Sequence, residues 1–452
     1  MSSKPGAPGK QQQKRLAAYL NSLARAAKHA DRNVPLKDYC RGLMLQLPRK
    51  SVEPMAARLA PDNVRQAHQS LHHIVAHSPW SDAALLEQVR HYVLPLMKKK
   101  AAIKAWVVDD TGFPKKGKHS VGVARQYCGQ LGKQDNCQVA VSLSVATAQA
   151  SLPIAWRLYL PEVWAGDDAR RERAGVPEAV RFQTKPRLSL DQIRQALSDG
   201  IEPGVVLADA AYGNDSEFRG ELEELGLRYI VGIQATTTVW EPGQEPLPAK
   251  PYSGVGRPPK LLQRRERQQP VSARKLALEL PQKAYRSLSW RAGTKKKPLR
   301  SRFAAVRVRV AHRDFERSEP HAEQWLLIEW PRDQDEPAKH RWIIERDYQE
   351  LKQELGLGDY EGRGWRGFHH HATLCTAAYG FLVAERSRFP PRYRHRKYAY
   401  ASPGLVRESV DAGRPIRAER HHPHSIATIR RYLVPEPLRR QGCCLRCGAP
   451  FY

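Results

Sequence analysis

The feature that most constrains this chain occurs twice: a short apolar run ends in an acid and then breaks on glycine. Trp106-Val107-Val108 leads into Asp109-Asp110-Thr111-Gly112, and Val205-Val206-Leu207-Ala208 leads into Asp209-Ala210-Ala211-Tyr212-Gly213. A continuous apolar run bounded by turn residues reads as a buried strand, and such a strand needs layers packed against its sheet. The acid that ends each run then projects from the sheet's rim rather than into its core. Around these runs, residues 105–109, 120–127 and 137–146 read as consecutive strands separated by Gly-rich turns. Residues 188–197 read as a helix, 204–209 as a strand, 216–225 as a helix and 228–233 as another strand. Alternation of this kind predicts an α/β fold with a layered sheet core.

The flanks differ. Residues 1–15 form a basic, Gly-, Pro- and Gln-containing tail, and residues 16–100 carry apolar residues at helical intervals with few strand signals. This predicts a helical N-terminal domain, with Arg25, Lys28, Arg49 and Lys50 placed to meet phosphates or simply solvated. Residues 101–235 are the first part of the core. The alternation breaks over 236–323, a Pro-rich, basic, strand-prone stretch that reads as a β-rich insertion with a strand near 303–311. Residues 324–390 return to the core, with a strand over 324–330 and helices over 341–355 and 368–386. Residues 391–452 read as a basic, Pro-punctuated tail.

Charge narrows the partner. Lys and Arg number 75 against 46 Asp and Glu, a formal net charge of +29, and such an excess favours a polyanion. The basic residues are spread along the chain rather than gathered beside an apolar anchor, which sets nucleic acid ahead of a membrane surface. No apolar stretch is long enough to span a bilayer, and residues 1–15 lack an apolar signal core, so the expectation is a cytoplasmic protein. Cys40, Cys128, Cys137 and Cys375 are scattered, which does not resemble a disulfide framework.

Acids at the ends of sheet strands suit hard cations, because Mg²⁺ takes a few carboxylates and keeps positions for phosphate oxygens. Two such ions about 4 Å apart activate the attacking oxygen and stabilise the leaving one in in-line phosphoryl transfer. The alternative for each Asp alone is that it caps the following turn. A third acid lies on the helix beginning Arg341-Trp342-Ile343-Ile344-Glu345, where offsets of four and seven put Arg341, Glu345 and Lys352 on one face. That helix could equally be amphipathic and salt-bridged.

Together these segments resemble the D-D-E transposases of bacterial insertion sequences that carry a Tyr-Arg-Glu-Lys signature. The similarity runs through residues 106–118, 120–129, 207–213 and 341–371, and covers most of the chain from about residue 34 to residue 390. It implies a ribonuclease-H-like mixed sheet with flanking helices, on which Asp109, Asp209 and Glu345 converge on two Mg²⁺ or Mn²⁺ ions. The Asp-x-Thr spacing selects Asp109, with Asp110 as the fallback. The resemblance also implies nicking and joining of double-stranded DNA, DNA contact by Arg341 and Lys352, a dimer in the DNA complex and a nucleoid location. The signature Tyr position is occupied by Ala338, and the link from Trp330 to Arg341 is short. That departure keeps open a second reading, a decayed or repurposed copy acting as a non-enzymatic DNA-binding protein.

In similar transposases a Trp of the insertion stacks on a flipped base. Trp290 is the first candidate here and Trp240 the second, against the commoner role of Trp as core. Lys115, Lys116 and Lys118, just past Asp109, are phosphate candidates. Gly256-Arg257-Pro258 has the form of a minor-groove contact or of a basic Pro-rich loop. Cys443, Cys444 and Cys447 supply half of a zinc site, which only His421, His422 and His424 could complete. His369, His370 and His371 are expected either near DNA or at a partly exposed helix start.

Overall fold

The computed structural model describes residues 10–254, 256–264, 268–292, 298–329, 342–388 and 426–433. The chain divides into two compact units, Met1–Val205 with Ile343–Tyr452, and Val206–Trp342.

The first unit begins with five helices, α1 (Lys10–Ala26), α2 (Asn33–Met44), α3 (Val52–Leu59), α4 (Val64–Ala76) and α5 (Asp82–Lys98). Helix α1 starts at Lys10, inside the stretch expected to be a tail to residue 15. Tyr19, Leu20 and Leu23 are buried, and Arg15 reaches the buried carboxylate of Glu385 at 2.6 and 2.8 Å, which fixes the first turns. Four strands follow, β1 (Ile103–Pro114), β2 (Ala124–Cys128), β3 (Lys133–Thr147) and β4 (Ser151–Leu158). β3 is the spine: β1 pairs antiparallel along one edge, while β2 and then β4 occupy the other. Its residues 137–147 are all buried, so both faces are covered. Residues 120–123, expected to be strand, form a turn instead. Gly122 there has φ +72, and a Cβ would sit 2.8 Å from the Tyr159 carbonyl.

Short helices α6 (Glu162–Ala165) and α7 (Asp168–Arg173) lead to α8 (Lys185–Ser198), which is capped by Thr184 and packs on β3, where Gln192 donates to the Val141 carbonyl at 3.1 Å.

The second unit takes the chain through β5 (Val205–Ala208), α9 (Ala210–Gly213), α10 (Ser216–Glu224) and β6 (Tyr229–Val231), with β5 and β6 parallel. It continues through β7 (Thr238–Trp240), β8 (Val271–Ser272), α11 (Ala273–Glu279), β9 (Arg286–Ala292), β10 (Pro298–Val310) and β11 (Glu323–Glu329). These last strands form a five-stranded antiparallel sheet around β10; β7 to β10 fall within the stretch read as β-rich, but β11, the strand expected over 324–330 to return to the core, pairs with β10 in this sheet instead.

The chain re-enters the first unit with α12 (Trp342–Leu355), α13 (Trp365–Arg388) and α14 (Ile426–Leu433). α13 is apolar all round and buried along nearly its whole length, because α1, α2, α4, α5, α14 and β4 surround it. α14 lies inside the stretch expected to be tail; buried Ile426, Arg430 and Leu433, spaced four and then three apart, give it a packed face. An antiparallel meander, a helix, then strands in parallel is the element order of a ribonuclease-H-like α/β fold, here with flanking helices and a β-rich insertion. Among the described residues, no helix is long and apolar enough to cross a membrane.

Candidate active site

In β1, side chains alternate between the two faces of the sheet, so neighbouring acids part company. Asp109 is 5% exposed and faces Ser142 of β3 in register. Asp110 is half-buried and pairs with Lys185, at the start of α8, at 2.9 Å. Asp109 is thus the more buried of the two acids, and Asp110 the one paired with a lysine.

Helix α12 lies along this strand. Its Tyr348 hydroxyl is 2.6 Å from Ser142 Oγ, directly across from Asp109. One turn on, Lys352 Nζ donates to the Gly112 carbonyl at 2.8 Å and to Gln130 at 3.0 Å, and lies 4.9 Å from the Phe113 ring. Burial pushes the Lys352 ammonium down to about 8, while Cys128 and Asp109 pull it upward. Glu345 precedes Tyr348 by three residues and Lys352 by seven, on the same helix face. Its side chain lies outside the described residues, as do Arg341 and Ala338 entirely.

Beneath α12 lies a polar network. Asp347 is hydrogen-bonded by Ser151, and the Tyr379 hydroxyl sits 2.8 Å from Asp347 and 2.9 Å from Glu350. Burial lifts Asp347 to about 6 against those hydrogen bonds.

Asp209 belongs to the second unit. It terminates β5 and caps α9, accepting from the Ala211 amide at 2.9 Å, so the capping role of a strand-end Asp is realised here. The turn leaves no room for alternatives at Gly213, where a Cβ would lie 1.8 Å from the Gly232 carbonyl.

The remaining candidates divide. Lys116 and Lys118 are exposed, whereas Lys115 is half-buried, donates to the Tyr360 carbonyl at 2.6 Å and is held below the usual lysine range by burial. Arg257 and Pro258 stand in an exposed loop. Trp240 is buried and donates to Asp314 at 2.8 Å, which makes it a core residue. Trp290 lies in β9, with its side chain outside the described residues. Sequence reasoning missed Trp325 of β11: it is 66% exposed, beside exposed Leu327, with the Arg307 guanidinium 5.1 Å from its ring. The signal was the alternation along β11, which leaves one face solvated.

The histidine expectation is overturned. His369, His370 and His371 are buried inside α13 against main-chain groups: the Trp365 carbonyl at His369, the Gly356 carbonyl at His371, and at His370 the Val75 and Trp80 carbonyls, one of which a neutral ring's single N–H can serve. Burial drives each to about 4, leaving neutral core imidazoles. Cys443, Cys444, Cys447 and His421, His422 and His424 lie outside the described residues. Among the described residues no group of three His, Cys, Asp or Glu side chains is close enough to hold an ion. Asp109, inside β1, and Asp209, at the end of β5, each offer oxygen donors, the donor type that suits a hard cation better than zinc.

The element order is that of a ribonuclease-H-like α/β fold, with Asp109 on β1 in the first unit and Asp209 after β5 in the second. Residues 18–297 match the family model described as DDE superfamily endonuclease, and the chain belongs to that family. The matched stretch contains Asp109 and Asp209, and Glu345 lies beyond it. The chain is also similar to a protein of Microchaete diplosiphon named probable transposase for insertion sequence element IS701, with 33% identity over 195 residues. That match spans 43% of this chain and 47% of the relative.

Proposed function

We propose that this protein is the transposase of an insertion sequence, cutting phosphodiesters at the element's ends and joining them to target DNA. Asp109, Asp209 and Glu345 would hold two Mg²⁺ or Mn²⁺ ions. The observation that carries this reading is the seat of α12, the helix that includes Glu345: its Tyr348 meets Ser142, across from Asp109, and its Lys352 donates to the Gly112 carbonyl.

When bound, the ions supply Lewis-acid activation of the attacking oxygen and neutralise charge on the leaving one. The residues of the chain do the rest. The sheet holds Asp109 rigid and shielded, since it is buried and cross-strand paired. Lys352, still protonated at neutral pH, presents positive charge beside that acid, where a phosphate would approach. Arg341 would share that task. Trp325, exposed and flanked by Arg307, joins Trp290 as a residue placed to stack on an unpaired base, while buried Trp240 does not. Lys116 and Lys118 are placed to contact the DNA backbone. The helices of residues 16–100 would read the element's ends, 236–323 would act as the insertion, and two copies would pair the ends in a nucleoid-associated complex.

The experiment is end cleavage and strand joining with Mg²⁺ or Mn²⁺, comparing wild type with Asp109→Asn, Asp209→Asn and Glu345→Gln. All three variants are expected to lose at least about 10²-fold in cleavage while retaining DNA affinity. Equal cleavage by variants and wild type removes the three-acid assignment. Tight, specific end binding without cleavage by wild type favours the repurposed, non-enzymatic reading.

A further inference from the structure

We propose that Arg430 is a positioning residue for the third acid: α14 seats the far end of α12, the helix that carries Glu345. The inference rests on the reading of Glu345 as a ligand.

Arg430 is 6% exposed and makes four hydrogen bonds at once. Its Nε and Nη2 donate to Glu354 Oε2 at 3.0 and 2.7 Å, and its Nη1 donates to the carbonyls of Met44 and Leu45 at 3.1 and 2.7 Å. Those carbonyls end α2, so one guanidinium satisfies a helix C-terminus and ties it to a carboxylate on the last turn of α12. Ile426 and Leu433 on the same face are buried, and α14 packs on α13.

The carbonyls at this end of α12 are also secured. Leu357 N donates to Leu351 O at 3.0 Å, Lys50 Nζ donates to Glu354 O, Cys375 Sγ lies 3.5 Å from Leu355 O, and His371 Nε2 is 2.9 Å from Gly356 O. Lys50 and Arg430 therefore converge on one residue, Glu354, from two directions. Cations at a helix C-terminus also oppose its dipole.

Leverage makes this seat matter. Glu345 lies nine residues before Glu354, about 13 Å along the helix axis. A tilt of about 5° about the seat moves the acid about 1 Å, and a displacement of that size can cost about 10²-fold in rate.

The test uses the full chain with Arg430→Ala, Arg430→Gln and Arg430→Lys. Three quantities are read: amide hydrogen exchange over α12 and β3, the Mn²⁺ concentration for half-maximal end cleavage, and DNA affinity. The Ala and Gln variants are expected to speed exchange in α12 about tenfold without change in β3, and to raise the Mn²⁺ midpoint about tenfold with DNA affinity within about twofold. The Lys variant, which keeps the charge but not the planar fork, falls between them and wild type. It also carries the test if the Ala chain fails to fold. Exchange that rises equally in α12 and β3, or a Mn²⁺ midpoint that stays at the wild-type value, overturns the proposal. If wild type itself does not cleave, the triad fails, and exchange in α12 still decides whether Arg430 seats the helix.

Discussion

Replacing Tyr348 with Phe removes one hydroxyl from the contact that docks α12 on β3. The ring stays, packed 5.9 Å from the Trp156 ring, so little volume is lost. What remains is Ser142 Oγ, in a residue with 0% exposure, deprived of the partner that stood 2.6 Å away. A buried hydroxyl left unsatisfied costs about 1–3 kcal/mol, which sets the expected loss for Tyr348→Phe. Ser142→Ala removes the same hydrogen bond from the other side and should cost about 1 kcal/mol. The double variant loses that bond only once, so its loss should fall short of the sum by about 0.5 kcal/mol or more. Denaturant unfolding of the four proteins measures each value. Additive losses, or a Tyr348→Phe stability within about 0.3 kcal/mol of wild type, would show that this contact does not fasten α12 to the strand opposite Asp109.

Three further outcomes are expected. Asp347 is raised from its ordinary 3.8 to about 6, so the folded state binds its proton more tightly than the unfolded chain does. Its contribution to stability is therefore lost as pH rises from about 4 to 6, by about 3 kcal/mol in all, and the unfolding free energy of Asp347→Asn should lack that decline. Gly213→Ala drives a Cβ into the Gly232 carbonyl and should destabilise the second unit by more than about 3 kcal/mol, read by thermal unfolding, whereas alanine at Gly220, with open space around it, should not. Lys352, lowered to about 8, loses its charge as pH rises through that value; DNA affinity should fall between pH 7 and 9, and Lys352→Arg should abolish the fall in a binding titration.

The strand that ends before Asp209 was legible because an apolar run broken by a turn has few other ways to fold, and the α12 helix because its spacing is periodic, whereas β1 runs through Asp109 and Gly112 to Pro114, since pairing with β3 carries the glycine as a ladder residue instead of a break. β4 was not legible, since Pro153 reads as a strand breaker; it is tolerated because, among the described residues, β4 pairs with β3 alone, so one edge of the strand makes no ladder there. α14 escaped notice although Ile426, Arg430 and Leu433 keep helical spacing, because Arg430 counts as surface in any hydropathy reading and only its four hydrogen bonds explain its burial. The three histidines were misjudged for the same reason: a carbonyl partner lies far away in sequence, as Val75 does from His370. Trp325 differs from Trp240 only in which face of a strand it occupies, and that is set by pairing with β10 rather than by local sequence.

Gly380 of α13 lets Val89 and Val93 of α5 approach so closely that a Cβ there would lie 2.9 Å from Val89 Cγ1, while Tyr19 of α1 bonds the Ala377 carbonyl three residues earlier. The amino-terminal helices are thus the wall of the same interior that supports α12. An exchange of that segment between related chains would have to carry a matching α13 with it. Variation in these helices is therefore expected to accumulate through substitutions on their outer faces, with the inner faces inherited as a block.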